Sequence, residues 1–338
     1  MLEHINTSEK PAINVQIIED DGTNFVISFS GKQIDHSIVN AIRRTILTEI
    51  PIYGFHNSNI FIDTKETINI YNTNMINMVL ETLPIFDINN NFDLENPEIY
   101  MANQEIRTEY SYLLNEKKTL PVGSEIDKVK NIEFSLNVIN NSNTNIFAST
   151  HDAILKIDGK ISNNYKKHEP ISLFALKPRE KISLRAIANL GIVNMNSIYE
   201  ATTNVIFKKK DEHNYEMSYE TLGQLKSIDI YKKACIILGK KLLLLQKFID
   251  ENYEERNVDD KIILSIYGED HTLGNLISTT LKRDPEVMRA GYKIPHPLNN
   301  QLVIKYKLFP KSNTLPIQKL KDILNYLNKI FIYISKID

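Results

Sequence analysis

Apolar and polar positions follow two rhythms along this chain, and the switches between them mark out its elements. Residues 12–31 give two short β-like runs around the turn Asp20-Asp21-Gly22. Asp35 then stands as the N-cap of a helix. Its Ile38, Ile42 and Ile46 fall on one face with Ala41 beside them, and Pro51 follows its end. Residues 52–62 and 66–71 read as further strands, and about 73–82 as a short helix ending before Pro84. Residues 86–170 are rich in Asn, Asp, Glu and Lys, with strand-like runs only at 131–139 and 153–157. That stretch predicts an inserted, loop-rich subdomain without a second large core. Period-two alternation resumes from Lys181 to Leu190 and stops at Gly191.

Two later helices carry apolar seams. Ile228, Tyr231, Cys235, Leu238, Leu242, Leu245 and Ile249 are spaced alternately three and four residues apart, a stripe suited to packing along another helix. Cys235 lies inside that stripe and reads as a small core hydrophobe, not a nucleophile. The charged segment 251–260 reads as a linker. From Lys261 the pattern gives a strand, a helix, strands over 287–294 and 302–309, and a last helix from about 315. In that helix Leu320, Leu324, Leu327, Phe331 and Ile334 make a second seam, so each seam is the expected partner of the other.

A strand–helix unit near the start recurs near the end. Residues 25–31 read Phe-Val-Ile-Ser-Phe-Ser-Gly and residues 262–268 read Ile-Ile-Leu-Ser-Ile-Tyr-Gly. The helices that follow, from Asp35-His36-Ser37 and from Asp270-His271-Thr272, align without a gap and share Asp, His, Asn, Ile and Thr positions. Such a recurrence predicts two related half-modules in one chain. Asn40 and Asn275, like His36 and His271, are candidates to hold the strand–helix turn by backbone hydrogen bonds. The C-terminal copy has Ser278 and Thr279 where the first has Arg43 and Arg44, which assigns the arginines to something only one half does. Pro295-His296-Pro297 reads as a rigid extended turn with a structural or partner-facing role.

Composition narrows the classes. The chain has 338 residues, 42% hydrophobic and 24% charged, enough for two domains or slightly more. A net charge of −2 gives no overall basic footprint for gripping nucleic acid alone, and the run Lys208-Lys209-Lys210 reads as a solvated turn. One cysteine supports neither a disulfide framework nor a cysteine-based zinc site and points to a reducing compartment. No stretch has the length and apolarity of a membrane span, and the N-terminus does not read as a signal peptide.

The segment Gly-Glu-Asp-His-Thr-Leu-Gly-Asn-Leu-Ile (268–277), followed by Asp284-Pro285 and Ala-Gly-Tyr-Lys-Ile-Pro-His-Pro-Leu (290–298), resembles the small α-like subunit of multisubunit RNA polymerases. In archaea this is the L subunit and in eukaryotes the eleventh subunit. His271, Gly274 and Asn275 are motif positions of that resemblance. The N-terminal part resembles the larger α-like partner, the archaeal D and eukaryotic third subunit. The resemblance rests on Asn40-Ala41-Ile42-Arg43-Arg44, Glu49-Ile50-Pro51, Asn72-Thr73-Asn74, Leu83-Pro84-Ile85, Lys181-Ile-Ser-Leu-Arg-Ala and Tyr215-Glu-Met-Ser-Tyr-Glu-Thr-Leu-Gly. Separate chains in that family are joined here, an arrangement similar to the RNA polymerases of large cytoplasmic DNA viruses.

The resemblance implies an α+β fold of two dimerisation modules, each an antiparallel sheet with helices, paired as an intramolecular pseudo-heterodimer. The expected units are a D-like domain from 1–85 and 171–250, an inserted β-rich subdomain at 86–170, the linker 251–260 and an L-like domain at 261–338. It implies a non-catalytic assembly platform for the largest and second-largest polymerase subunits, with Asn40, Arg43 and Arg44 meeting the second-largest. A small zinc-ribbon-type subunit is a further implied partner, and DNA is met only through the complex. It also implies a host-cytoplasmic site at a viral factory, with the virion or the nucleus as other locations. Many D-like subunits bind zinc or an iron–sulfur cluster through cysteines of the inserted subdomain. Residues 86–170 contain no cysteine, so no cofactor is expected. Two other readings stay open: an independent homodimeric scaffold, and an enzyme using His36, His271 and His296 with nearby acids.

Overall fold

The computed structural model describes residues 11–65, 67–88, 130–252, 261–296, 301–312 and 314–337. In it the chain is α+β, with three main antiparallel sheets, the first and third of which pack against helices.

The first layer comprises β1 (Asn14–Asp20), β2 (Asn24–Ser30) and, much later, β11 (Thr202–Lys209) and β12 (Asn214–Thr221), in the order β1-β2-β12-β11. Alternation decides which face is buried. Phe25, Ile27 and Phe29 of β2 stand opposite Tyr219, Met217 and Tyr215 of β12, and all six are buried. Gly31 ends β2 at φ 131°, and a Cβ there would lie 2.2 Å from the Ala12 carbonyl oxygen, so the turn into α1 (His36–Thr48) requires glycine.

The second layer is built on β3 (Ile52–Gly54), β4 (Ile60–Ile62), α2 (Thr73–Glu81), β5 (Ile132–Ile139), β6 (Ile146–Ser149), β7 (Ala153–Ile157), β8 (Lys160–Ser162), β9 (Ser172–Leu176) and β10 (Lys181–Gly191). Its main sheet runs β3-β10-β5-β7-β8, with β4 also on β10 and a separate β6-β9 ribbon. The boundaries expected near 85 and 171 therefore cut through this sheet. The strand at 181–190 pairs with the one at 132–139, setting Leu184 opposite Leu136 and Ala186 opposite Phe134. Nor is the layer coreless, since Phe134, Leu155, Tyr165 and Phe174 are buried. Of the strands expected at 52–71, two three-residue strands form, and beyond them Ile68 makes an isolated bridge to Lys181. Most of the Asn- and Glu-rich stretch from 89 lies outside the described residues.

The long seam helix is α3 (Ser227–Asn252). After it come β13 (Lys261–Tyr267), α4 (His271–Arg283), β14 (Val287–Lys293), β15 (Gln301–Leu308) and α5 (Pro316–Ile334). These three strands form the third layer in the order β13-β15-β14. Gly268, at the turn into α4, has φ 80° and so repeats the left-handed glycine seen at Gly31. No helix among the described residues is long and apolar enough to cross a membrane.

Candidate assembly interface

The helices of the two halves meet through capping residues, apolar seams and buried charge. Asp35 caps α1: its Oδ1 accepts from the Ser37 amide at 2.6 Å and the Ile38 amide at 3.2 Å. Asp270 caps α4 in the same way, accepting from the Thr272 amide at 2.7 Å. Each cap also binds an arginine from the far end of the other helix. Arg44 of α1 pairs with Asp270 and donates from Nε to the Thr272 hydroxyl at 2.7 Å, while Arg283 of α4 pairs with Asp35. This exchange sets α1 and α4 antiparallel. Burial works against the Asp270 charge, but hydrogen bonds from Thr272 and the Arg44 guanidinium hold its carboxyl below the usual range.

The seams lie against each other. Tyr231, Cys235, Leu238, Leu242, Leu245 and Ile249 of α3 are buried, as are Leu320, Leu324, Leu327, Phe331 and Ile334 of α5, whereas Ile228 is half-buried. Gly239 is where α5 comes close: a Cβ there would lie 2.9 Å from Asn328 Oδ1. Tyr231 reaches both halves, with its ring between Phe25 and Phe29 and its hydroxyl donating to the Ile334 carbonyl at 3.3 Å. Burial pushes the Cys235 thiol up to about 12, so it is no thiolate nucleophile.

Charge is buried beside the seams. Lys241 of α3 has its Nζ 2.8 Å from Glu49, the residue that closes α1, and 3.2 Å from Glu269, just before the α4 cap. Their side chains are 8%, 10% and 2% exposed, so one buried cation from the N-terminal half bridges an acid from each half. Lys319 of α5 is the counterpart. It pairs with Asp284, which closes α4, and with Glu286. Burial alone would lower the Lys319 ammonium, but these two carboxylates outweigh it and raise it above its ordinary value.

Both halves match the RNA polymerase Rpb3/Rpb11 dimerisation domain, over residues 28–242 and 261–336. The chain belongs to the Rpb3/Rpb11 family of RNA polymerase subunits. It is 40% identical over 335 residues to a protein of Acanthamoeba polyphaga mimivirus named as a DNA-directed RNA polymerase subunit, covering 97% of this chain and 94% of that one. Its C-terminal part is similar to shorter relatives. One is the RNA polymerase II subunit RPB11 of Caenorhabditis elegans, 40% identical over 88 residues (26% of this chain, 65% of the relative). Another is the polymerase subunit Rpo11 of Metallosphaera sedula, 51% identical over 53 residues (16% and 59%). The protein is therefore a fused, non-catalytic structural subunit of the Rpb3/Rpb11 type, and its partners are other polymerase subunits.

Within this Rpb3/Rpb11 pair several site residues sit differently from expectation. Successive helical positions diverge by about 100°, and this separates Arg43 from Arg44. Arg44 is engaged inside the chain by Asp270 and the Thr272 hydroxyl. Arginines do not serve only one half, because Arg283 serves the other cap from about one turn further along the repeat, where a position-by-position alignment hides it. Arg43 is half-buried and donates from Nε to Asn40 Oδ1 at 3.0 Å. Asn40 thus orients Arg43 and Asn275 accepts from the Thr279 hydroxyl at 3.3 Å, while the turns themselves are held by the two aspartates. His271 stacks edge-on against Tyr292, with ring centroids 5.7 Å apart. Gly274 lets β14 approach α4: a Cβ there would lie 2.5 Å from the Tyr292 ring. Pro295 and His296 are exposed at the end of β14, and Pro297 lies outside the described residues. Among the described residues no group of three His, Cys, Asp or Glu could hold a metal.

Sequence reading missed Arg283, Lys241, Glu49 and Glu269 as interface residues, and the Lys319–Asp284–Glu286 cluster inside the C-terminal half. One signal was available: Glu49 and Asp284 stand at the same repeat position, each just past its helix.

Proposed function

We propose that this Rpb3/Rpb11-type subunit is the platform on which the two largest polymerase subunits assemble, the second-largest docking on α1 through Arg43 and Asn40. The observation that carries the reading is the division of labour on α1. Arg44 turns inward to the C-terminal half, whereas Arg43, oriented by Asn40, is not drawn into the cap exchange. A planar guanidinium held by a neighbouring amide is suited to pair with a carboxylate or backbone carbonyl of another chain. Pairing within one chain supports a single copy per complex, because the tethered partner is present at high effective concentration. The named mimivirus relative supports a viral polymerase acting in host cytoplasm and carried in the virion. A small zinc-ribbon-type subunit completes the partner set, and DNA is reached only through the assembled enzyme.

The test is co-expression of this chain with the largest and second-largest subunits of its polymerase. Arg43→Glu should sharply reduce capture of the second-largest subunit while leaving the melting temperature unchanged. Undiminished capture by the folded variant would remove Arg43 from the contact.

A further inference from the structure

The outer face of the third layer has a property that module pairing does not use. The strands β13, β14 and β15 contain no Asp or Glu, yet β14 and β15 carry Arg289, Lys293, Lys305 and Lys307. These four cations form no ion pair among the described residues. Register sets Arg289 directly opposite Lys307, and sets Gly291 opposite Lys305. Like charges directly opposite one another on neighbouring strands repel. Lysines commonly guard an edge strand against unwanted pairing, but β15 is the central strand of its sheet, so Lys305 and Lys307 have no edge to guard. Between the cations Gly291 leaves a notch, since a Cβ there would meet no atom within 4 Å. A cleft of about 400 Å³ follows from this, lined by Arg289, Gly291, Lys293, Lys305 and Lys307 together with neighbouring strand residues.

We propose that this cleft binds an extended acidic segment of another protein, laid along β14 with its carboxylates toward Arg289, Lys293, Lys305 and Lys307. Charge complementarity fixes the sign of the ligand, because uncompensated cations concentrated in a cleft attract anions and an anionic partner relieves the Arg289–Lys307 repulsion. The strand arrangement fixes its shape: an extended peptide lying over the Gly291 notch along β14 turns alternate side chains toward the cations of β14 and β15. Nucleic acid fits less well. Single-stranded binding uses aromatic platforms for the bases, and the cleft's two tyrosines turn inward. Tyr306 is 2% exposed with its hydroxyl donating to the Pro316 carbonyl, and Tyr292 packs on His271. This site is separate from α1 and stands whether or not Arg43 contacts another subunit.

The probe is a short fluorescent peptide alternating Glu and Val, titrated by anisotropy into the full chain at low and moderate salt, beside a labelled oligothymidylate of equal charge. The peptide should bind, and more weakly as salt rises. The double variant Lys305→Glu/Lys307→Glu should lose about tenfold or more in affinity. Gly291→Val, which fills the notch without altering charge and suits a strand, should lose binding by a similar factor with an unchanged melting temperature. Failure of the peptide to bind, binding unaffected by Gly291→Val, or tighter binding of the oligothymidylate would each overturn the proposal.

Discussion

Replacing Lys241 with methionine removes the cation between Glu49 and Glu269 while nearly preserving side-chain volume. The two contacts, at 2.8 and 3.2 Å, correspond to about 6 and about 5 kcal/mol of direct attraction at an effective dielectric of about 20. Desolvation of three nearly inaccessible groups offsets much of that, so the net worth of the cluster against an apolar one is small. Removing one partner is a different matter, because Glu49 and Glu269 then lose the buried cation that bridges them. Lys241→Met should therefore cost about 3–5 kcal/mol. Urea denaturation of the full chain measures it, and a cycle with Glu269→Gln isolates the cross-half part. The double variant Lys241→Met/Glu269→Gln should lose less than the sum of the two single changes, with a coupling of about 1–3 kcal/mol. A loss below about 1 kcal/mol for Lys241→Met, or additive single changes, would refute the claim that this lysine joins the halves.

Lys233 of α3 presents the opposite case. It is 7% exposed, its Nζ has no hydrogen-bond partner among the described residues, and burial lowers it to about 8. The unfolded chain therefore holds this proton more tightly, so wild-type stability should rise with pH between about 8 and about 10.5. Lys233→Met should raise stability by about 3 kcal/mol at pH 7 and abolish that rise in pH-dependent denaturation; an unchanged slope would contradict it. Gly274→Val, which copies the residue at the matching position of the first repeat, Val39, should destabilise by about 1–3 kcal/mol because the Tyr292 ring occupies the space, read as a lower melting temperature. Proteolytic cleavage between 252 and 261 should leave the two halves co-eluting on size exclusion at micromolar concentration. Separate elution would show that the seams need the covalent link.

Much of the interface was legible because its signals are local. A capping aspartate acts on amides two and three residues away, a seam is a periodicity within one helix, and Gly31 and Gly268 mark turns whose backbone only glycine accommodates. Such interactions depend on neighbours in sequence, so the strand–helix repeat, the α3 and α5 seams and the buried role of Cys235 follow from the residues alone. The alternation in Lys181–Gly191 likewise predicts a strand with one buried face.

Alternation does not say which strand lies alongside. Tertiary structure joined Lys181–Gly191 to β5 and so drew the second layer across boundaries that composition had placed at 85 and 171. The same holds for the charges. Arg44 and Arg283 look like surface arginines in the sequence, and Lys241 looks like the solvated side of an amphipathic helix. Their partners lie far along the chain, and only the antiparallel crossing of α1 and α4, with α3 against α5, brings them within reach. Short-range periodicity thus determines the elements and their buried faces, while electrostatic pairing falls off over a few ångströms and is decided by the packed geometry.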